Sequence, residues 1–326
     1  MPERPNLVFV FSDRQRYDTM RCYGNDWIQT PHLNALSEQS FVFENAYVTQ
    51  AVCAPSRSSI MTGLFPHATG VPRNKLVMRQ DAKTIAEMVS PDYKRAYFGK
   101  WHLGDEVVAQ RGFDHWISGM DRLWEEYTND DYLAFRTDYH HYLVANGYEP
   151  DQDAPPGRIF SDHFRSQLPA EHQMASFFAD HARDFIHENA DNPFVLYVSF
   201  LEPHPPFTGP FDDLYDPATL PVDPTFMKKP EGGSMFNRVR ADFFMQTEFS
   251  DAIDPESKVD WERRRNEYNA TPMLVGHDIS TEAGWRQLRA GYMGNMTVVD
   301  NAVGTIVDAV DEAGLADDTI VVFTSE

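Results

Sequence analysis

Pro193-Phe194-Val195-Leu196-Tyr197-Val198-Ser199-Phe200 decides the fold. Its apolar residues occupy both alternating faces, so an extended chain here must be buried on both sides. Strands of that kind belong to parallel sheets covered by helices. Working outward, similar runs stand at residues 7–11, 95–98 and 319–323. A further extended region is expected at 41–43 with 46–48. Between them lie helical patterns at 32–40, 55–62, 84–89, 174–189 and 281–313. In the fourth, Phe177, Phe178, His181, Phe185 and Ile186 fall near one face. In the last, Val299, Val303, Ile306, Val307 and Val310 form the stripe and Gly314 supplies the stop. The alternation predicts an α/β fold, a mostly parallel central sheet with helices on both faces.

Residues 117–170, rich in Asp, Tyr and His, and 203–275, rich in Pro, Met, Phe and charge, break this rhythm. Both read as excursions from one catalytic domain over 1–326, where such folds place substrate specificity.

The 326 residues are 42% hydrophobic and 13% aromatic, enough for a sizeable core, which excludes a disordered or fibrous chain. Lys and Arg number 28 against 50 Asp and Glu, a formal charge of −22. That excess opposes general binding to nucleic acid or to an anionic membrane. Two cysteines, Cys22 and Cys53, cannot build a disulfide framework or a cysteine-rich zinc site. No apolar run approaches the ~20 residues needed to span a bilayer, and none at the start reads as a signal peptide. As written, the chain is expected in the cytoplasm; a trimmed N-terminus would leave export open.

Five strings carry chemistry. Cys53-Ala54-Pro55-Ser56-Arg57, followed by Thr62-Gly63, puts a nucleophile at the start of a helix, whose amide dipole favours an anion there. Gly99-Lys100-Trp101-His102-Leu103-Gly104 follows a strand. An extended chain would send Lys100 and His102 to one face. Glu202-Pro203-His204-Pro205-Pro206 follows another strand. Ser12-Asp13-Arg14-Gln15 ends the first strand, and Thr324-Ser325-Glu326 ends the last.

Together these strings resemble the sulfatase family, and the resemblance runs through nearly the whole chain. It implies an alkaline-phosphatase-like fold and hydrolysis of a sulfate ester. It further implies that a maturation enzyme oxidises Cys53 to formylglycine, whose hydrate attacks sulfur. Arg57 and His102 would then contact the hydrate and Lys100 the substrate sulfate. His204 would protonate the leaving alcohol. Asp13, position 53 and Glu326 would bind a hard divalent cation, by resemblance Ca²⁺, with Mg²⁺ the alternative. The expected substrate is a small-molecule or glycan sulfate ester, with no nucleic-acid or membrane partner.

Two departures stand out. Arg14 takes the place of the family's second acidic ligand and offers no acceptor. Either Gln15 compensates, or the site uses fewer ligands, or metal binding is impaired. Arg14 itself is expected near the sulfate pocket or paired to a carboxylate such as Asp18. Glu326 falls on a metal Asp of the family. The next ligand, a later lysine and the smaller C-terminal subdomain lie beyond it, so a truncated sequence is expected. Two other functions fit the same residues: a phosphonate monoester or phosphodiester hydrolase, or a non-catalytic remnant that binds sulfated ligands.

Overall fold

The computed structural model describes residues 4–154, 157–226 and 281–326, with scattered positions between 228 and 279. In chain order the helices and strands are β1 (Asn6–Ser12), α1 (Pro31–Glu38), α2 (Cys53–Thr62), α3 (Pro66–Thr69), α4 (Ile85–Met88), β2 (Lys94–Gly99) and β3 (His115–Ile117). There follow α5 (Asp138–Ala145), the pair β4 (Gln152–Ala154) and β5 (Gly157–Ile159), α6 (Asp162–Ser166), α7 (Met174–Glu188), β6 (Phe194–Ser199), α8 (Glu282–Glu312) and β7 (Thr319–Ser325). Five strands form one sheet in the order β3-β2-β6-β1-β7, every pair parallel. β4 and β5 form a separate antiparallel pair within the first excursion.

The chain divides into two compact units. One comprises Met1–His204 with Met296–Glu326 and holds the sheet; the other comprises Pro205–Asn295. Much of the second excursion, residues 242–276, lies outside the described residues.

Every residue of β6 is buried, as a central strand flanked by helices requires. On one face Tyr97, Trp101, Phe113 and Trp116 pack edge-on and stacked, with Tyr97 and Trp101 centroids 5.0 Å apart. On the other, α7 lays Phe185 against Phe98 and Phe194. Each such buried side chain contributes roughly 1.5–3 kcal/mol. Asp300, wholly buried on α8, accepts from the backbone N–H groups of His32 and Leu33. It thereby caps α1, whose own Thr30 makes no cap bond.

Two expectations need correction. Residues 41–48 do not join the sheet. Their apolar side chains face outward, with Phe41 96% and Tyr47 87% exposed, and Phe41 to Phe43 border an open cleft beside β7. The fifth strand is instead β3, a short edge next to β2, too brief to register as a pattern. The helix expected at 55–62 begins two residues earlier, so Cys53 itself occupies its first turn.

Register is what builds the site. Phe11 pairs with Ser199, Ser12 with Ser325, and Gly99 with Ser199, so β1, β2, β6 and β7 end side by side. Ligand sites in open α/β sheets form at these carboxyl ends. Gly99 makes the exit from β2 possible. Its φ is +123°, and a Cβ there would stand 2.0 Å from the Ser199 carbonyl oxygen.

Candidate active site

Asp13 leaves the end of β1 fully buried. Its Oδ2 lies 2.5 Å from Lys100 Nζ and 3.3 Å from an Arg57 terminal nitrogen. Burial would raise the Asp13 pKa, but Lys100, His204 and Arg57 outweigh it and hold the carboxyl well below its usual range. The other oxygen, Oδ1, is buried without a hydrogen bond among the described residues.

Arg57 stands one turn along α2 from Cys53 and is 1% exposed. It donates to the Lys100 carbonyl and to Ser199 Oγ, stacks over Phe11, and sets its Nε 2.7 Å from Glu326 Oε2. That last contact is an ion pair without the angle of a hydrogen bond. Glu326 follows β7, and burial pushes its carboxyl up to about 7.

Cys53 is buried at the first turn of α2, and burial pushes its thiol up, so it stays protonated at neutral pH. The next backbone N–H, Ala54, donates to Asn74 Oδ1, which fixes the turn. Ligand atoms of Asp13, Cys53 and Glu326 all lie within 4.8 Å of one another. The carboxylates of Asp13 and Glu326, with position 53 beside them, supply hard oxygen acceptors in one small space, so these residues fit a cation. Gln15 does not replace the missing acid. Its amide oxygen accepts from Ser12 Oγ, and its amide nitrogen donates to Thr19.

Lys100 is 2% exposed, and Asp13 keeps its ammonium charged against the opposing effect of burial. The Tyr97 hydroxyl donates to the Lys100 carbonyl, tying the turn to the core. His102 follows with its ring neutral. Burial, then Lys100 and Arg57, press its pKa down to about 2. His204 lies close enough to act electrostatically on both Asp13 and His102.

The expectation for Arg14 is half right. It does meet a carboxylate, but that of Asp13, with Nε 3.8 Å from Oδ1 and the side chain 47% exposed. Asp18 pairs with Arg16 at 2.7 Å, and Arg14 leaves the strand at a φ of 62°. Sequence reading missed Asn74, Ser199, Glu106 and Glu126. Ser199 was legible as the last residue of a buried strand; Asn74 sits in an irregular segment and Glu126 at the end of a short 3-10 helix, with no pattern to mark them.

A family model described as Sulfatase matches residues 5–326. An ulvan-active sulfatase from Formosa agariphila is 26% identical over 336 residues, covering 100% of this chain and 50% of that protein. An N-acetylglucosamine-6-O-sulfatase from Bacteroides thetaiotaomicron is 26% identical over 346 residues, covering 99% and 58%. Among solved structures, a phosphonate monoester hydrolase from Silicibacter pomeroyi superposes with a TM-score of 0.68 at 22% identity, covering 99% of this chain and 62% of that one. The chain thus spans between half and 62% of the length of these proteins.

Proposed function

Because the chain belongs to the sulfatase family, we propose that it carries the nucleophile side of a sulfate-ester hydrolase site, with position 53 as the attacking residue. One observation carries this reading. A buried cysteine at a helix start shares a space of 4.8 Å with two carboxylates, and two buried cations line the same space.

As formylglycine, position 53 would supply a hydrated aldehyde, one hydroxyl of which attacks sulfur while the other releases sulfate by re-forming the carbonyl. A divalent cation held by Asp13, Glu326 and position 53 would neutralise charge on the sulfuryl oxygens. Ca²⁺ suits hard oxygen ligands, and Mg²⁺ is the alternative.

The chain's own residues do the rest. Lys100 and Arg57 present fixed positive charge without reorganising, which favours the more anionic transition state. Their carboxylate partners hold them in place. Neutral His102 offers a ring nitrogen to hydrogen-bond a hydroxyl of the hydrate. His204 gives a proton to the departing oxygen, which matters when the alcohol is a poor leaving group. Arg14, half exposed beside Asp13, has five donors and a planar fork suited to two sulfate oxygens.

Relatives named for ulvan and for N-acetylglucosamine 6-O-sulfate support a carbohydrate sulfate as substrate. The test is to express the chain with a formylglycine-generating enzyme, analyse the Cys53 peptide by mass, and compare sugar sulfates with phosphonate monoesters. Aldehyde at position 53 with faster sulfate turnover is expected. Phosphonate turnover that exceeds sulfate turnover, or thiol alone at position 53, overturns the reading.

A further inference from the structure

His102 has a strained backbone and a held ring. Its φ is 60°, in the left-handed region that residues other than glycine seldom adopt without compensation. The compensation comes from two carboxyl groups. Glu106, wholly buried, accepts from the backbone N–H of Trp101 at 3.1 Å and of His102 at 3.3 Å. Glu126 ends a 3-10 helix over Asp121–Glu126 in the first excursion and is 4% exposed. Its Oε1 lies 3.1 Å from His102 Nε2. The other ring nitrogen, Nδ1, is buried with no hydrogen-bond partner among the described residues.

A carboxyl group in such a place is costly. Burial first, then the neighbouring Glu106, push Glu126 up to about 8, with Lys100 opposing. The backbone N–H of Lys75 also opposes the rise, and the charge of Glu125 adds to it. On the ring, the charges that act are Lys100, Arg57, Asp13 and His204. Only one proton fits between Oε1 and Nε2. With Glu126 ionised it sits on Nε2; with Glu126 protonated the carboxyl donates to Nε2 and the ring proton sits on Nδ1. In either state the partner dictates the tautomer.

We propose that Glu126 is a positioning residue, whose carboxyl group fixes the ring and the tautomer of His102 through Nε2 and so reserves Nδ1 for the reacting groups. The use of Nδ1 rests on the sulfate-ester reading; the hold on the ring does not.

Ring ¹⁵N correlations of the full chain, labelled at histidine, test this at one fixed pH. The His102 signal is assigned by its loss in His102→Asn. Wild type should show a single tautomer, and Glu126→Ala should move both ring nitrogens to averaged values. Glu126→Gln, whose amide can accept from Nε2–H or donate to Nε2, should keep the ring held and one tautomer dominant. A tautomer mixture in wild type overturns the proposal whether or not the variants fold, and so do unchanged ring shifts in Glu126→Ala. Kinetics add a second readout: Glu126→Ala should lower kcat for a sulfate ester about 10–100-fold with KM nearly constant. Locked rings with no sulfate turnover in any form would sink the sulfate-ester reading and leave the role of Glu126 standing.

Discussion

Lys100 Nζ and Asp13 Oδ2 lie 2.5 Å apart, and neither side chain reaches solvent. The pair joins the ends of β2 and β1, so it is both a site component and a clasp between strands. Removing one member leaves a buried charge with fewer partners. Lys100→Met should therefore lower unfolding stability by about 3 kcal/mol, besides abolishing sulfate turnover. Urea melts decide it. A change under ~0.5 kcal/mol would mean that Arg57 alone satisfies Asp13.

Arg14 offers a gain-of-function test. It stands 3.8 Å from Asp13 Oδ1, the oxygen without a hydrogen bond. Arg14→Asp removes a positive charge there and adds oxygen ligands. Ca²⁺ affinity should rise about tenfold by calorimetric titration. Equal affinity would place the cation away from Asp13 Oδ1.

His204 should matter in proportion to the leaving group. His204→Ala should slow alkyl sulfates by about 10²–10⁴ and nitrophenyl sulfates far less, since a nitrophenolate departs without a proton. Equal losses on both would assign His204 to sulfate binding.

Buried carboxyl groups give stability a definite slope with pH. Burial raises Glu106 to about 7 and Glu126 to about 8. An unfolded glutamate titrates near ~4.3, so the native chain keeps protons that the unfolded chain has released. Their contribution is complete below that value and is lost as pH rises through 7 and 8. Melting temperature should fall from about pH 5 to about pH 9. Glu126→Gln, neutral throughout, should flatten part of that fall. An unchanged slope would show that Glu126 is ionised at little cost. Asp13 acts in the opposite sense, since its depressed pKa favours the native state until strong acid.

Periodicity made the sheet legible where burial is symmetric. β6 and β1 read as apolar runs because both their faces are largely covered, β7 reads as one although it is a half-buried edge strand, and α7 reads through its phenylalanine stripe. The same logic misread residues 41–48. Phe41, Phe43 and Tyr47 have strand-like spacing but are exposed, and spacing alone does not reveal what covers a side chain. Asp13, Lys100 and Glu326 were legible because each directly follows a strand. Glu126 was not, since it meets His102 only through the tertiary approach of a short 3-10 helix. The Arg14 substitution was visible in the sequence, but its left-handed backbone and its contact with Asp13 were not.

The position of β1 sets the order in which the molecule can be made. This first strand lies between β6 and β7, and Ser12 meets a residue 313 positions later. On a ribosome, β1 emerges with both edges open; β6 can pair with one edge, but the other waits for β7, near the end of the described chain. Contacts of such separation form slowly and expose sticky edges meanwhile. Until β7 docks, Arg57 lacks Glu326 and the Cys53 turn lacks its final wall. The nascent chain thus passes through an interval in which Cys53 is more open than in the finished fold.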